Sequence, residues 1–352
     1  MNSFVSLGAE TIPADEPAQI RELVEILRSI QETRDRRKNP VPRNVHPKQH
    51  GGVYAEFIVQ PGLPAALRHG IFRDERAYAA IVRFSNARQP DDRLPDAHGV
   101  GIKVLGVEGE RLLAQEHDGP TQDFVLVDHP VFFVKNVADF IPLAHDFRRL
   151  MIGGMLGKAR SVLKAALSRD YRFRLLRQMA AKRPDSPLEI QYWSTTPSKF
   201  GEGAMKFALR LQRDAIPRTQ TKSADKLGVA LKEHLRDRPA HFDFLVQLQT
   251  DPVRTPVEDP TVEWLESDAP FRKVATLHIP RQEFDSPEQR EFAESLSFTP
   301  WHTLAAHRPL GGINRARKAV YAAMSDRRRE LNDVPQREPT VSEVRTIWRS
   351  EE

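Results

Sequence analysis

The chain contains no cysteine, which excludes disulfides, thiolate catalysis, zinc–thiolate sites and iron–sulfur clusters. It has no run of about 18 apolar residues, so no membrane-spanning helix is expected. Residues Met1 to Glu10 lack a basic start and a long apolar stretch. No secretory leader is expected there, and the cytoplasm is the expected compartment. No internal repeat or low-complexity segment stands out, which argues against a repeat architecture.

What is present is an ordinary globular composition. The 352 residues are 39% apolar and 29% charged, enough to bury a sizeable core. The net charge is +5 and the pI about 9.4. Basic and acidic residues are interspersed along most of the chain. The densest basic clusters, Arg34-Asp35-Arg36-Arg37-Lys38 and Arg327-Arg328-Arg329, sit in or just after helical patterns. A solvated helix face accounts for them, and no nucleic-acid partner is expected.

Hydrophobic periodicity sets out the elements. Residues 1–15 read as an arm. Ile20, Leu23, Val24, Leu27 and Ile30 recur at helical steps between Pro17 and Lys38, with Asp15 as a candidate cap. Residues 39–50 read as extended or loop. Strand-like runs follow at Val53–Val59, Ala79–Ser85, Gly99–Leu105 and Asp123–Val127. A helical block spans Val137 to Lys182. Strands resume at Leu188–Ser194, Ala204–Leu211, Phe242–Leu248 and Val274–Ile279, interrupted by a helix at Ala224–Arg236. Helices at Pro287–Leu296 and Ile313–Arg329 close the core, and a short one is expected at Val341–Trp348. Two groups of four strands with helices between and after do not make the alternating pattern of a doubly wound sheet. The expected class is α+β: an antiparallel eight-stranded β-barrel with helices packed outside. The expected organisation is an arm and helix over 1–38, a barrel domain with its closing helices over 39–330, and a charged tail over 331–352.

The chemically telling feature lies near the C-terminus. Arg317 precedes Tyr321 by four residues, which on a helix sets the guanidinium beside the phenol oxygen. A cation there favours the phenolate, which free tyrosine forms only near pH 10. A phenolate is a hard anionic ligand for ferric iron. Ala316, Ala319, Val320 and Ala323 form a stripe of small residues, expected to let a flat macrocycle approach, and Arg317, Tyr321, Met324 and Arg328 form the adjacent row. Taken alone, Tyr321 would be a half-buried packing residue and His46 an ordinary histidine. The His46/His50 spacing invites a metal site, but Pro47 disfavours a helix there and no glutamate follows His46.

Four segments change that reading when taken together: Arg43-Asn44-Val45-His46; Val82-Arg83-Phe84-Ser85-Asn86; Val127-Asp128-His129-Pro130-Val131-Phe132-Phe133; and the helix carrying Arg317 and Tyr321. In this order, from about Arg43 to Arg329, the chain resembles the haem catalase superfamily. The resemblance implies a b-type haem (iron-protoporphyrin IX) with Tyr321 as the proximal iron ligand and Arg317 as its charge partner. It implies His46 as the distal acid–base group, held in one tautomer by Ser85. Arg43 and Arg83, and Arg328 after them, are implied to pair with the haem propionates. Phe132 and Phe133 are implied to line an apolar wall. Asp128 is implied to stand on the distal side, where the family usually carries asparagine. Ionised, it would repel a peroxide anion; buried and protonated, it would donate a hydrogen bond. His98, His117 and His129 could each compete for a polar role, and the sequence promotes none of them.

The implied function is peroxide decomposition, as catalase on hydrogen peroxide or as peroxidase with an organic donor. The stretch from Trp301 to Tyr321 is also similar to the allene oxide synthases of the superfamily, which rearrange fatty-acid hydroperoxides. Val45 precedes the distal histidine where those enzymes tend to carry threonine. A non-catalytic haem-binding stress protein is the third reading. The run after His46 departs from the usual catalase pattern, and the long C-terminal helical region of standard catalases is missing or vestigial, so no NADPH is expected. Catalases are commonly tetramers with a threaded N-terminal arm, which makes a homo-oligomer through residues 1–38 an option beside a monomer or dimer.

Overall fold

A computed structural model describes residues 6–35, 38–113, 120–212 and 221–348. Among the described residues nine strands form one antiparallel sheet: β1 (Lys48–Val59), β2 (Ala77–Asn86), β3 (His98–Leu105), β4 (Thr121–Val127), β5 (Tyr192–Trp193), β6 (Ser198–Phe200), β7 (Gly203–Leu211), β8 (Ala240–Leu248) and β9 (Arg272–Ile279). The order is β5-β4-β3-β2-β1-β9-β8-β7-β6. The ring closes through β5, which pairs Trp193 with Val127 of β4 and Tyr192 with Leu209 of β7. Eight strands thus make the barrel, and β6 hangs on β7 as a short hairpin.

Alternation builds the core. Along β1, Val53, Ala55, Phe57 and Val59 point inward and are buried. Phe57, Phe124, Phe207 and Phe244 fill the barrel axis, with the rings of Phe124 and Phe244 4.7 Å apart and those of Phe57 and Phe124 5.6 Å apart. Such aromatic contacts suit a small barrel, whose lumen is just wide enough for side chains.

The helices lie outside: α1 (Glu16–Asp35), α2 (Val137–Ile152), α3 (Met155–Leu167), α4 (Tyr171–Met179), α5 (Lys226–Asp237), α6 (Pro287–Ser295), α7 (Gly312–Asn332) and α8 (Val341–Ile347). Leu23, Ile26 and Ile30 of α1 pack with Val137 and Ala144 of α2 and Ala316 of α7. Val344 and Trp348, in and just after α8, join the barrel's main cluster, and Glu338 reaches the buried amine of Lys103 at 2.5 Å.

Every expected strand is present, with two differences. The Leu188–Ser194 run yields only the two residues of β5, because Ser186 caps a tight turn over Pro187–Glu189 and takes up the rest. The three residues of β6 are too few to show an alternation. The expected helical block from 137 to 182 is three helices: Gly153-Gly154 separates α2 from α3, and Asp170 caps a fresh start at α4. The expected solvated face does not hold for the second basic cluster, where Arg328 is buried and Arg327 and Arg329 are half-buried; in the first, Arg34 is half-buried and Lys38 exposed. Arg34 and Lys38 both pair with Asp35, Arg327 with Glu330 and Arg329 with Asp326. Arg36, Arg37 and His117 lie outside the described residues.

Register places the site. Ser85 lies opposite Gly99, which lies opposite Val127; Arg83 lies opposite Gly101, which lies opposite Val125. With a period of two, these six side-chain positions share the outer face of β2, β3 and β4, while Phe84, Val100, Ile102 and Leu126 point into the barrel.

Candidate functional site

His46 lies over that outer face. It precedes β1 with φ +58°, a left-handed conformation that costs a non-glycine residue on the order of 1 kcal/mol. Its backbone N–H donates to the Ala87 carbonyl at 3.0 Å. The imidazole lies against Gly99: a Cβ there would stand 2.4 Å from the ring's Cε1. Nδ1 is 3.1 Å from Ser85 Oγ, and Ser85 Oγ–H donates to the Gly99 carbonyl at 3.4 Å. With its own proton so used, the Ser85 oxygen accepts from Nδ1–H. Nε2 is then the basic nitrogen, and it has no hydrogen-bond partner among the described residues. Burial, with Arg83 beside it, pushes the His46 pKa down to about 4. The imidazole is neutral at ordinary pH.

Next to it three guanidinium groups converge on one carboxylate. Arg83 donates to the His46 carbonyl and to Glu294 Oε2, both at 3.1 Å, and to Gln49 Oε1 at 3.0 Å. Arg43 donates to the Glu294 and Leu296 carbonyls at 2.8 and 2.5 Å, and its Nε stands 3.3 Å from Glu294 Oε1. Arg328, from α7, donates to the Glu294 carbonyl at 3.0 Å. Arg83 and Arg328 are buried. The Glu294 side chain is 40% exposed and the sole carboxylate among them. Burial, followed by the charge of Arg83, pushes the Arg43 pKa well below its ordinary value. Arg43 Nε is buried without a hydrogen-bond partner. The cluster therefore carries more positive charge and more donors than the protein answers, and suits a further anion, best a pair of carboxylates.

Helix α7 brings Tyr321 to the same region. Arg317 donates to Tyr321 Oη at 3.2 Å and its guanidinium lies 5.3 Å from the ring centre, as spacing by four requires. Arg317 is itself held by Thr196 Oγ1 at 3.0 Å and Asn314 Oδ1 at 3.2 Å. The helix start is pinned by Arg315, which meets Glu10, Glu16 and Glu258 at 2.6, 2.6 and 3.1 Å. Trp301 Nε1 donates to the Asn314 carbonyl at 2.7 Å. Tyr321 and the buried Arg328 are two turns apart, so the phenol and the arginine cluster lie on one helix face. Of the small-residue stripe, Ala316 and Val320 pack against α1 and α2, where small side chains permit close helix contact.

Asp128 is wholly buried at the end of β4. Its Oδ2 is 2.7 Å from His98 Nδ1, and Oδ1, without a hydrogen-bond partner, is 3.7 Å from Lys182 Nζ. It makes no hydrogen bond to His46 but acts on it by charge, raising its pKa against the burial effect. Phe132 and Phe133 stack at 4.3 Å and pack with Phe140 in the cluster that holds Ile313 of α7. His50 turns away from His46 to Asn86 Oδ1 at 2.8 Å, and no cluster of three metal-ligating side chains exists among the described residues.

Sequence reasoning missed Glu294, Gly99, Thr196 and Asn314, and named His98 without assigning it a role. His98 and Gly99 were within reach, because pairing β2 with β3 sets Asn86 against His98 and Ser85 against Gly99. Glu294 and Thr196 lay in segments without a motif and meet the site only through long-range packing.

No known protein family matches the chain, and no curated protein is similar to it in sequence. Solved structures are similar in three dimensions. A fungal catalase superposes with a TM-score of 0.59 at 16% identity, over 82% of this chain and 58% of its own. Catalase A from Saccharomyces cerevisiae gives 0.58 at 17%, over 94% of this chain and 68% of its own. A bacterial catalase gives 0.56 at 17%, over 95% and 66%. The chain thus spans about three-fifths to two-thirds of the length of these catalases. At such identity the likeness concerns the fold. The eight-stranded closed barrel, its outer helices and these superpositions together establish that the chain has the catalase-like fold.

Proposed function

We propose that the chain binds a b-type haem between the outer face of β2–β4 and α7, and uses it to decompose peroxides. The observation that carries this reading is the convergence of Arg43, Arg83 and Arg328, under-neutralised and beside both His46 and the Tyr321 helix. Haem would bring two propionates and an iron that takes a protein ligand. The three arginines would hold the propionates, and Tyr321, with Arg317 at its oxygen, would be the iron's one protein ligand. When bound, haem supplies the redox chemistry.

This chain's residues supply the proton handling. His46 is neutral and presents Nε2, so it accepts a proton from a peroxide and returns one to the leaving oxygen. Ser85 holds Nδ1–H in place, which fixes the tautomer through the cycle. Gly99 lets the ring lie flat on the strand. Val127 and the sequestered Asp128 leave no amide from this segment to orient hydrogen peroxide. That favours peroxidase turnover, or rearrangement of a fatty-acid hydroperoxide, over a fast catalase cycle.

The test starts with Tyr321→Phe, expressed in iron-replete cells beside the parent chain. The parent is expected to carry a Soret band and the variant to lose most of it. A variant that keeps the pigment with an unchanged spectrum refutes the assignment. Substrate choice is read with two compounds: oxygen release from hydrogen peroxide marks catalase, and loss of diene absorbance from a polyunsaturated fatty-acid hydroperoxide without oxygen release marks rearrangement.

A further inference from the structure

Helix α3 is turned inside out. A surface helix ordinarily faces the protein with its apolar side. Here the residues toward the protein are Ser161 and Ala165, one turn apart, of which only Ser161 is buried. The large apolar residues point to solvent: Met155 is 87% exposed, Leu156 86%, Leu167 72%, Leu163 60% and Val162 56%. At about 100° per residue these five fall within one arc opposite the inward face. Contiguous exposed apolar surface of this kind marks an interaction site.

The flanking charge says what kind. From Phe147 to Arg169 there is no aspartate or glutamate, while Arg148, Arg149, Lys158, Arg160, Lys164 and Arg169 are all basic. Arg149 and Lys164 share Asp146, just outside the stretch, at 2.6 and 2.5 Å. Arg148, Lys158, Arg160 and Arg169 have no ion-pair partner among the described residues. On the helix, Lys158 and Arg160 border the apolar arc on its two sides. A two-fold contact between copies would set these cations against each other, which is unfavourable. A nucleic acid would answer the charge but not the five aliphatic side chains. An anionic lipid bilayer answers both, with acyl chains under the arc and headgroups at its basic borders. Thirteen residues rise about 20 Å, too short to cross a bilayer but suited to lie in its surface.

We propose that α3 is an interfacial helix that docks the chain on an anionic lipid surface. The inference is independent of the haem reading.

The full-length protein is floated with vesicles of pure phosphatidylcholine and with vesicles of equal parts phosphatidylcholine and phosphatidylglycerol. Binding is expected to the anionic vesicles and not to the neutral ones. Leu156→Glu with Leu163→Glu should abolish it; both sites are exposed, and circular dichroism checks that the fold persists. Lys158→Glu with Arg160→Glu should weaken it by about tenfold or more. Absence of binding to the anionic vesicles overturns the proposal, and so does binding that survives the double leucine change. Sedimentation supplies a further arm: a dimer that the leucine changes dissociate, with no vesicle binding, assigns the face to a second copy instead. Binding to a DNA duplex but not to vesicles also overturns the lipid assignment.

Discussion

A single residue shows how position outweighs type. Histidine titrates near pH 6.5 in water, yet His46 is held near 4 by burial and by Arg83. The proposed use as a base needs the neutral ring. The ring is neutral above its pKa, so activity should hold steady from about pH 5.5 upward and fall as pH drops through about 4. A pH–rate profile in peroxide turnover tests this; an acid limb near 6.5 would refute it. Asp128 opposes the downward push. Replacing it by asparagine removes an anion that favours the protonated ring, so the acid limb should move lower, by up to about one pH unit. A limb that moves upward would show that Asp128 acts otherwise. None of this was legible in the string. The Arg43-to-Ser85 segments carried the identities, but the shift on His46 is a property of what folding brings around it. Asp128 shows the same limit, since its partners His98 and Lys182 are 30 and 54 positions away.

At the level of elements, the two walls of the site obey different rules. The α7 wall is local: Arg317 meets Tyr321 because 3.6 residues make a turn, and that contact could be read directly from spacing. The β2–β4 wall is non-local. Gly99 matters because register sets it beside Ser85 and beneath the imidazole. In Gly99→Ala the new methyl meets a ring at 2.4 Å, and the strand, paired on both sides, cannot withdraw. His46 must move and lose Ser85. Peroxide turnover should fall by about tenfold or more while the pigment stays bound. Pigment lost along with activity would mean that Gly99 serves the fold rather than the histidine. The stripe of Ala316 and Val320 carries the opposite lesson: small residues on a helix signal close approach, but only packing tells of what, and here it is α1 and α2.

For the whole molecule, three histidines are folded in their neutral forms. Burial pushes the pKa values of His46, His50 and His307 each down to about 4. The unfolded chain takes up protons on these groups below about pH 6.5, and the folded chain only near 4. Stability is therefore fully present above pH 6.5 and is lost as pH falls toward 4, at up to about 4 kcal/mol per pH unit near pH 5. Urea midpoints measured between pH 7 and 5 should drop accordingly; a flat series would mean that these rings are not held neutral. The same scale divides what was readable from what was not. Alternation and helical periodicity determined the eight ring strands, the outer helices and the α+β class, because each is a local consequence of backbone geometry. Identity and order determined the candidates His46, Ser85, Arg83, Arg43 and Tyr321. Only the tertiary structure decided that two residues of β5 close the ring, that three arginines gather on Glu294, that Asp128 belongs to His98, and that α3 faces outward. Those depend on which distant segments meet, and a string of residues holds no distances.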